Sequence, residues 1–328
     1  MAGAPRLPRA DARRLADPPD LTPARRPGSV RRTSSIDLTR PLGAHGPLSI
    51  TGRARDLRTD ATGSAQVADA ALLHVTVEGG VSTSVSMYPT PERASALVGH
   101  KVGAGWRTRV ARQLRDHHDA GSVLHLLLDE LPVGMIISGF TQRHLAPATT
   151  AQHTRRLDVC AGWIRDGSAA RAVRERGIPP EPPGPLAAPL PDPADPVGWH
   201  TLAPLPTWGI SRRRRIDVWP RGDCLAVDAM FRDTYVDGAG RSRVLHEYAA
   251  TATIDTLTDR VLAIEPTARV VPHEECPAAV GSAQGILGVA AGDLRDRVSM
   301  DLFGPRSCTH LNDLLRSLAD VPALAAVL

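Results

Sequence analysis

Between residues 224 and 236 apolar and polar positions alternate, placing Leu225, Val227, Ala229 and Phe231 on one side of the chain. A period of two with one apolar side is that of an antiparallel strand with one buried face. Similar stretches predict strands at Arg214–Trp219, Val244–Ile254 and Arg260–Val271, with turns at Asp237-Gly238-Ala239-Gly240 and Asp255–Asp259. Earlier, Ala70–Val77 and Val81–Met87 flank Gly79-Gly80 and predict a hairpin. The pattern elsewhere is helical, over Trp106–Leu114 and Val123–Leu131, and again at about 274–287, 290–302 and 309–319. The last of these carries Leu311, Leu314, Leu315 and Leu318 on one face. Residues 149–177 predict a helical connector, with Leu157, Cys160 and Ile164 on one stripe.

Prolines then crowd the chain from Ile178 to Pro206, as in Pro179-Pro180-Glu181-Pro182-Pro183, and predict an extended, semi-rigid linker. The folded regions on either side of it share order and spacing. Arg31-Arg32 with Ile36-Asp37-Leu38 resembles Arg214-Arg215-Ile216-Asp217-Val218. The run Pro91–Gly99 lies over His273–Gly281, Arg107, Arg109, Val110 and Leu114 over Arg295, Arg297, Val298 and Leu302, and Ser122–Leu126 over Ser307–Leu311. Four matches in register imply an internal duplication. The expected fold class is therefore α+β, as two related modules that superpose over about 30–131 and 212–321. Each is an antiparallel sheet packed by two or three helices. The corresponding division is a disordered lead-in at 1–29, a degenerate first copy at 30–148, a connector at 149–177, a proline-rich linker at 178–211 and a second copy at 212–328.

Composition narrows the classes of function. The 328 residues suffice for two cores, and no run of eighteen apolar residues is present to cross a membrane. Residues Met1–Ser29 mix Arg, Pro, Asp and Ala without an apolar stretch, which argues against a secretory signal and for a lead-in or an early start codon. The formal charge is +4, yet Lys101 is the only lysine. Arginine, alanine and proline enrichment of this kind fits a GC-rich bacterial genome better than a nucleic-acid binder. The run Arg212–Arg215 reads as a solvated strand entry, because aromatics that would stack on bases are scarce. Cys160, Cys224, Cys276 and Cys308 form no CxxC pair, and without an export signal they are expected to be thiols in a reducing, cytoplasmic compartment.

Two of those thiols carry the candidate chemistry. The repeat sets Ala94 opposite Cys276 and Val123 opposite Cys308, so both sulfurs are absent from the first copy together. Cys308 and His310 fall where a loop enters the final helix, and an N-terminus with unpaired N–H groups favours a thiolate. Cys276 follows His273-Glu274-Glu275 and precedes Pro277, a good first-turn residue. Cys276, Cys308, His310 and His273 are the expected metal-binding set, their two sulfurs and the His310 nitrogen reaching one point as zinc or an iron–sulfur cluster requires. Cys160 reads as core, Cys224 is undecided, and strand-borne His246 reads as a satisfied hydrogen-bonding residue.

At Cys276 and at Cys308-Thr309-His310-Leu311-Asn312-Asp313-Leu314-Leu315 the sequence resembles the bacterial family catalogued as domain of unknown function 2889. The likeness covers about 212–321 and includes Arg214–Asp217 and Val244–Tyr248; Ser307 stands where that family has glycine. It implies a structural unit and a motif, and no reaction. The order of strands and cysteine-led helices is also similar to U-type iron–sulfur scaffold proteins, which implies Cys276, Cys308, His310 and Asp223 or Cys224 as ligands. Three functions follow: a metal- or cluster-binding accessory protein, an enzyme with Cys308 as nucleophile and His310 or His273 as base on a thioester-like molecule, or a module that docks a protein partner. No GxSxG, P-loop or dinucleotide fingerprint occurs.

Overall fold

The computed structural model describes residues 21–145, 156–177 and 184–328. Most of the expected lead-in, and the most proline-dense part of the linker, lie outside the described residues. The fold is α+β and is organised by one eight-stranded antiparallel sheet in the order β4-β3-β2-β1-β5-β6-β7-β8. Its strands are β1 (Ser29–Thr39), β2 (Leu48–Thr59), β3 (Ala65–Glu78), β4 (Val81–Tyr88), β5 (Ile210–Arg221), β6 (Cys224–Val236), β7 (Ser242–Asp255) and β8 (Val261–Val270). Each set of four is a meander of hairpins, and β1 pairs with β5 to join the sets. Ser34 faces Arg214 across that central ladder, and Arg32 and Arg212 lie at matching positions on either side of it. In both meanders the second and third strands carry a bulge just beyond a strand-two aspartate, Asp56 in one and Asp233 in the other.

The helices are α1 (Trp106–Gln113), α2 (Arg115–Asp119), α3 (Val123–Leu145), α4 (Ser168–Arg176), α5 (Leu294–Asp301), α6 (Thr309–Ser317) and α7 (Val321–Ala325). Side chains paired across strands share a face, so Ile36 and Leu38 of β1 and Ile216 and Val218 of β5 all point to one side. Two apolar cores form there. One gathers Ile36, Leu73, Trp106 and Leu127; the other gathers Phe231, Tyr248, Leu294 and Leu314. Helix α3 runs far beyond the expected end at Leu131, straight through Pro132. Proline cannot donate to the carbonyl four residues earlier, and here the indole N–H of Trp106 occupies that Leu128 oxygen at 2.9 Å. Among the described residues α3 is the one helix long and apolar enough to cross a membrane, and 78 % of its most apolar window is buried inside the fold.

The arginine run is a correction to the sequence reading. Arg212, Arg213, Arg214 and Arg215 are all buried, as are Arg31 and Arg32. Between the two cores Arg212 holds both oxygens of Asp233, and Arg214 reaches Glu130 at 2.6 Å; both also bind Asp313. Arg32 grips Asp56 and meets Asp320 at 2.9 Å. On the opposite face Arg31 pairs with Asp217 and Arg213 with Asp37. A buried guanidinium is tolerable only when paired and hydrogen-bonded, and each has its carboxylate.

Strand β6 is covered on both faces, not one. The linker segment after residue 184 crosses the outer face, where Leu190 and Trp199 pack on Met230. Gly184 runs so close to β7 that a Cβ would fall 1.6 Å from the Val244 carbonyl oxygen. His200 lies between the hydroxyls of Thr33 and Ser35, at 2.9 and 2.8 Å.

Two buried histidines make stability depend on pH. Burial, reinforced by Arg213, lowers the His200 pKa to about 3; burial, reinforced by Arg295, lowers that of His125 to about 4. Both folded values lie below the unfolded value of about 6.5, so the stabilisation is complete above that pH and is lost as pH falls toward 4 and then 3. For His125 the full effect is about 3 kcal/mol. The urea midpoint of the wild type is expected to fall between pH 6.5 and 4.5, and less steeply in His125→Leu. Identical slopes in the two proteins would refute the assignment.

Candidate functional site

The inward face of β6 and β7 ends in a polar cluster beside the second core. Asp233 and His246 are cross-strand partners, followed inward by Phe231 and Tyr248. Three other segments close over them. The chain enters α6 with Cys308 as its N-cap, in extended conformation, which brings His310 onto the first turn. A 3-10 segment, Cys276–Ile286, begins with its thiol buried and Pro277 behind it. The connector lies across both, held by a hydrogen bond from the Ala161 N–H to the Ser307 carbonyl at 2.8 Å. At its closest point a Cβ on Gly162 would sit 2.6 Å from the Cys276 sulfur, so only glycine fits.

These pieces enclose a half-open cavity of about 100 Å³. Cys160, Cys276, Cys308, His246, His273, His310 and Tyr248 line it, against apolar walls that include Ile137, Phe140 and Leu245. The Tyr248 hydroxyl donates to the Cys308 sulfur at 3.5 Å. The His246 ring lies 3.8 Å from that of His310 with 23° between their planes. Its Nδ1 is 3.1 Å from Asp233. Asp233 is itself clamped by Arg212, and this pairing outweighs its burial to keep the carboxylate well below the usual range. A charged Asp233 accepting from Nδ1 leaves His246 Nε2 as a lone-pair donor. His310 Nε2 is buried with no hydrogen-bond partner. Burial, with His246 beside it, holds the His310 ring neutral.

The thiols sit in an unusual electrostatic setting. Burial pushes the Cys160 thiol up to about 11 and that of Cys276 higher still, each reinforced by neighbouring Cys308. Tyr248 is raised for the same reasons. Among the described residues nothing in the cavity's lining carries a negative side chain, and Arg156 is its one permanent cation.

All four residues expected from the sequence, Cys276, Cys308, His310 and His273, line this one cavity. The set whose ligand atoms all lie within 4.8 Å of one another is Asp233, His246 and His310, sharing His310 with the expected four. Sequence reasoning overlooked Cys160. No helix stripe joins Leu157, Cys160 and Ile164: Cys160 is extended and only one 3-10 turn, Ala161–Trp163, follows. Within the described part of the connector the helix is α4, whose first N–H and hydroxyl, from Ser168, are held by Glu275. His246 does hydrogen-bond, as expected, and also reaches the cavity. Cys224 opens β6 at the end away from Asp233, nine residues or about 30 Å along the strand. Neither it nor Asp223 is a fourth ligand, against the scaffold-protein analogy.

The family model described as "Protein of unknown function (DUF2889)" matches residues 210–324, from the first residue of β5 into α7. The match covers about a third of the chain and includes the Cys308–Leu315 run on which the resemblance rests. No curated protein matches. Among solved structures, a crystal structure of lipopolysaccharide binding protein aligns with 89 % of this chain and 92 % of its own, at 8 % identity and a TM-score of 0.13. That score lies far below that of a shared fold.

Proposed function

We propose that this chain, whose residues 210–324 match the DUF2889 model, is a cytoplasmic metal- or iron–sulfur-binding accessory protein with its centre among Cys276, Cys308, His310 and His273. One observation carries the reading: among the described residues, three thiols and three imidazoles line a single cavity with no carboxylate in its lining. Thiolate and imidazole donors select zinc, iron–sulfur clusters and related soft ions. The raised thiols of Cys160 and Cys276 support it too, since a divalent ion supplies the positive charge that deprotonates a buried thiol. His246, a further imidazole in the lining, is backed by Asp233 and Arg212 as metal-bound histidines are backed by carboxylates, and adds a fifth donor beside the proposed four.

The first half is on this reading a diverged copy that kept the scaffold. In support, Arg32 pairs with Asp56 and Arg212 with Asp233 across the first two strands of each meander, a bulge follows each aspartate, and His125 and His310 each lie in the first turn of a helix. Ala94 and Val123 replace the thiols there. A second reading, a cysteine-dependent enzyme with Cys308 as nucleophile, is favoured by the Asp233-oriented His246 as base.

Metal analysis of anaerobically purified full-length protein separates the two. About one zinc per chain, or iron with inorganic sulfide, is expected. A metal-free protein inactivated by stoichiometric alkylation would favour the enzyme reading instead.

A further inference from the structure

The residues that match the family do not close the cavity alone. Residues 210–324 supply Cys276, Cys308, His246, His273 and His310, while the third thiol, Cys160, arrives on the connector from outside that span. The connector is seated for this. Ala161 donates its N–H to the carbonyl of Ser307, and Gly162 lies against the Cys276 sulfur with no room for a Cβ. Farther on, Trp163 meets the His273 ring edge-on at 5.6 Å, and Glu275 holds the N–H and hydroxyl of Ser168. Every one of these contacts lands on a proposed ligand or on the residue beside one.

Cys160 itself is half-buried and extended, ahead of the Ala161–Trp163 turn. Burial and neighbouring Cys308 raise its thiol, while backbone hydrogen bonds from Trp163 and Gly162 oppose them. Backbone N–H groups aimed at a sulfur favour the thiolate over the neutral thiol, the support that a metal-bound cysteine receives. On the same lining His310 Nε2 is buried with no hydrogen-bond partner among the described residues. Three thiols and one such imidazole complete a Cys3His set, one of the closed four-ligand sets of structural zinc. We infer that Cys160 is a ligand of the metal centre, so that one divalent ion clasps the connector to the unit at 210–324. The inference rests on the metal reading and adds to it a ligand and a structural role. On binding, each of the three thiols gives its proton to solvent and an electron pair to the ion, with no change of oxidation state.

The test uses the full chain, purified anaerobically, chelated and reloaded with cobalt(II), whose thiolate-to-metal absorption grows with the number of bound sulfurs. Cys160→Ser is expected to weaken binding about a hundredfold or more, since even groups behind a ligand account for about 10–100-fold. It should also lower the absorption of the saturated protein by roughly one third, three thiolates becoming two. Trypsin reports the clasp through Arg165 and Arg171, both exposed on the connector. In the wild type, cobalt(II) at about a hundred times its Kd should slow cleavage there about a hundredfold. In saturated Cys160→Ser that protection should vanish, and Cys160→Asp, which puts an oxygen ligand in its place, should restore it with the lower absorption. A Cys160→Ser protein with wild-type affinity and absorption overturns the inference and leaves the metal reading intact. Protection that persists in Cys160→Ser also overturns it, because Cys160 is then a packing residue. A wild type that takes up no cobalt(II) overturns the clasp as well, and its content of iron and sulfide decides the metal reading separately.

Discussion

Asp313→Ala is expected to destabilise the protein by about 3–5 kcal/mol, the range for breaking a buried ion pair from one side. Asp313 is 3 % exposed and accepts from Arg212 and Arg214, themselves 0 % and 1 % exposed. Removing the carboxylate leaves two guanidinium groups in an apolar setting. Arg212 keeps Asp233 and Arg214 keeps Glu130, so the loss is of the shared counter-charge and not of every contact. Arg107, which also binds Asp313 at 2.7 Å, is 31 % exposed and recovers water; Arg107→Met should cost below about 1 kcal/mol. Urea unfolding of the two variants measures the contrast. Equal midpoints for Asp313→Ala and wild type would mean that the cluster between the cores contributes nothing to stability.

The second large effect concerns metal. Cys308→Ser is expected to reduce bound zinc or iron from about one per chain to near zero, because a serine hydroxyl is not deprotonated by these ions as a thiol is. The fold should survive, since the smaller hydroxyl can still accept from Tyr248 at a site already polar on that side. Cys276→Ser should act in the same direction. Cys224→Ser is the control, as this half-buried thiol lies at the far end of β6. Matched circular dichroism with lost metal supports the proposed centre; full metal content in both Cys276→Ser and Cys308→Ser removes it.

Much of the second half was readable from residues alone. Strand β6 has the expected bounds, and β7, β8 and the helical segments after them fall within a few residues of expectation, because their apolar periods are clean and their turns carry Asp and Gly. The first half was less legible. The first half of β1 gave no apolar alternation: Arg31, Arg32, Thr33, Ser34 and Ser35 are polar and nonetheless buried. Their burial depends on partners far away in sequence, such as Asp217 for Arg31 and Glu130 for Ser34. Periodicity within one segment holds no information about such pairings. Pro132 misled for the same reason, its orphaned carbonyl being satisfied by Trp106, a partner twenty-two residues from that oxygen.

The sequence by itself determined the alternation of strands and helices, and the chemical kind of the candidate site. The pair of cysteines leading two late helical segments was visible in residue order because donor identity and helix starts are local properties. Tertiary structure alone decided what surrounds them. It joined two meanders into one sheet through β1 and β5, buried nine arginines among the described residues, and turned the connector into a wall that adds Cys160 and Arg156 to the cavity. It also set Asp233 behind His246, and that pairing exists only once β6 and β7 are in register. Register, burial and the pairing of charges are properties of segments meeting in space, so no single stretch of this chain encodes them.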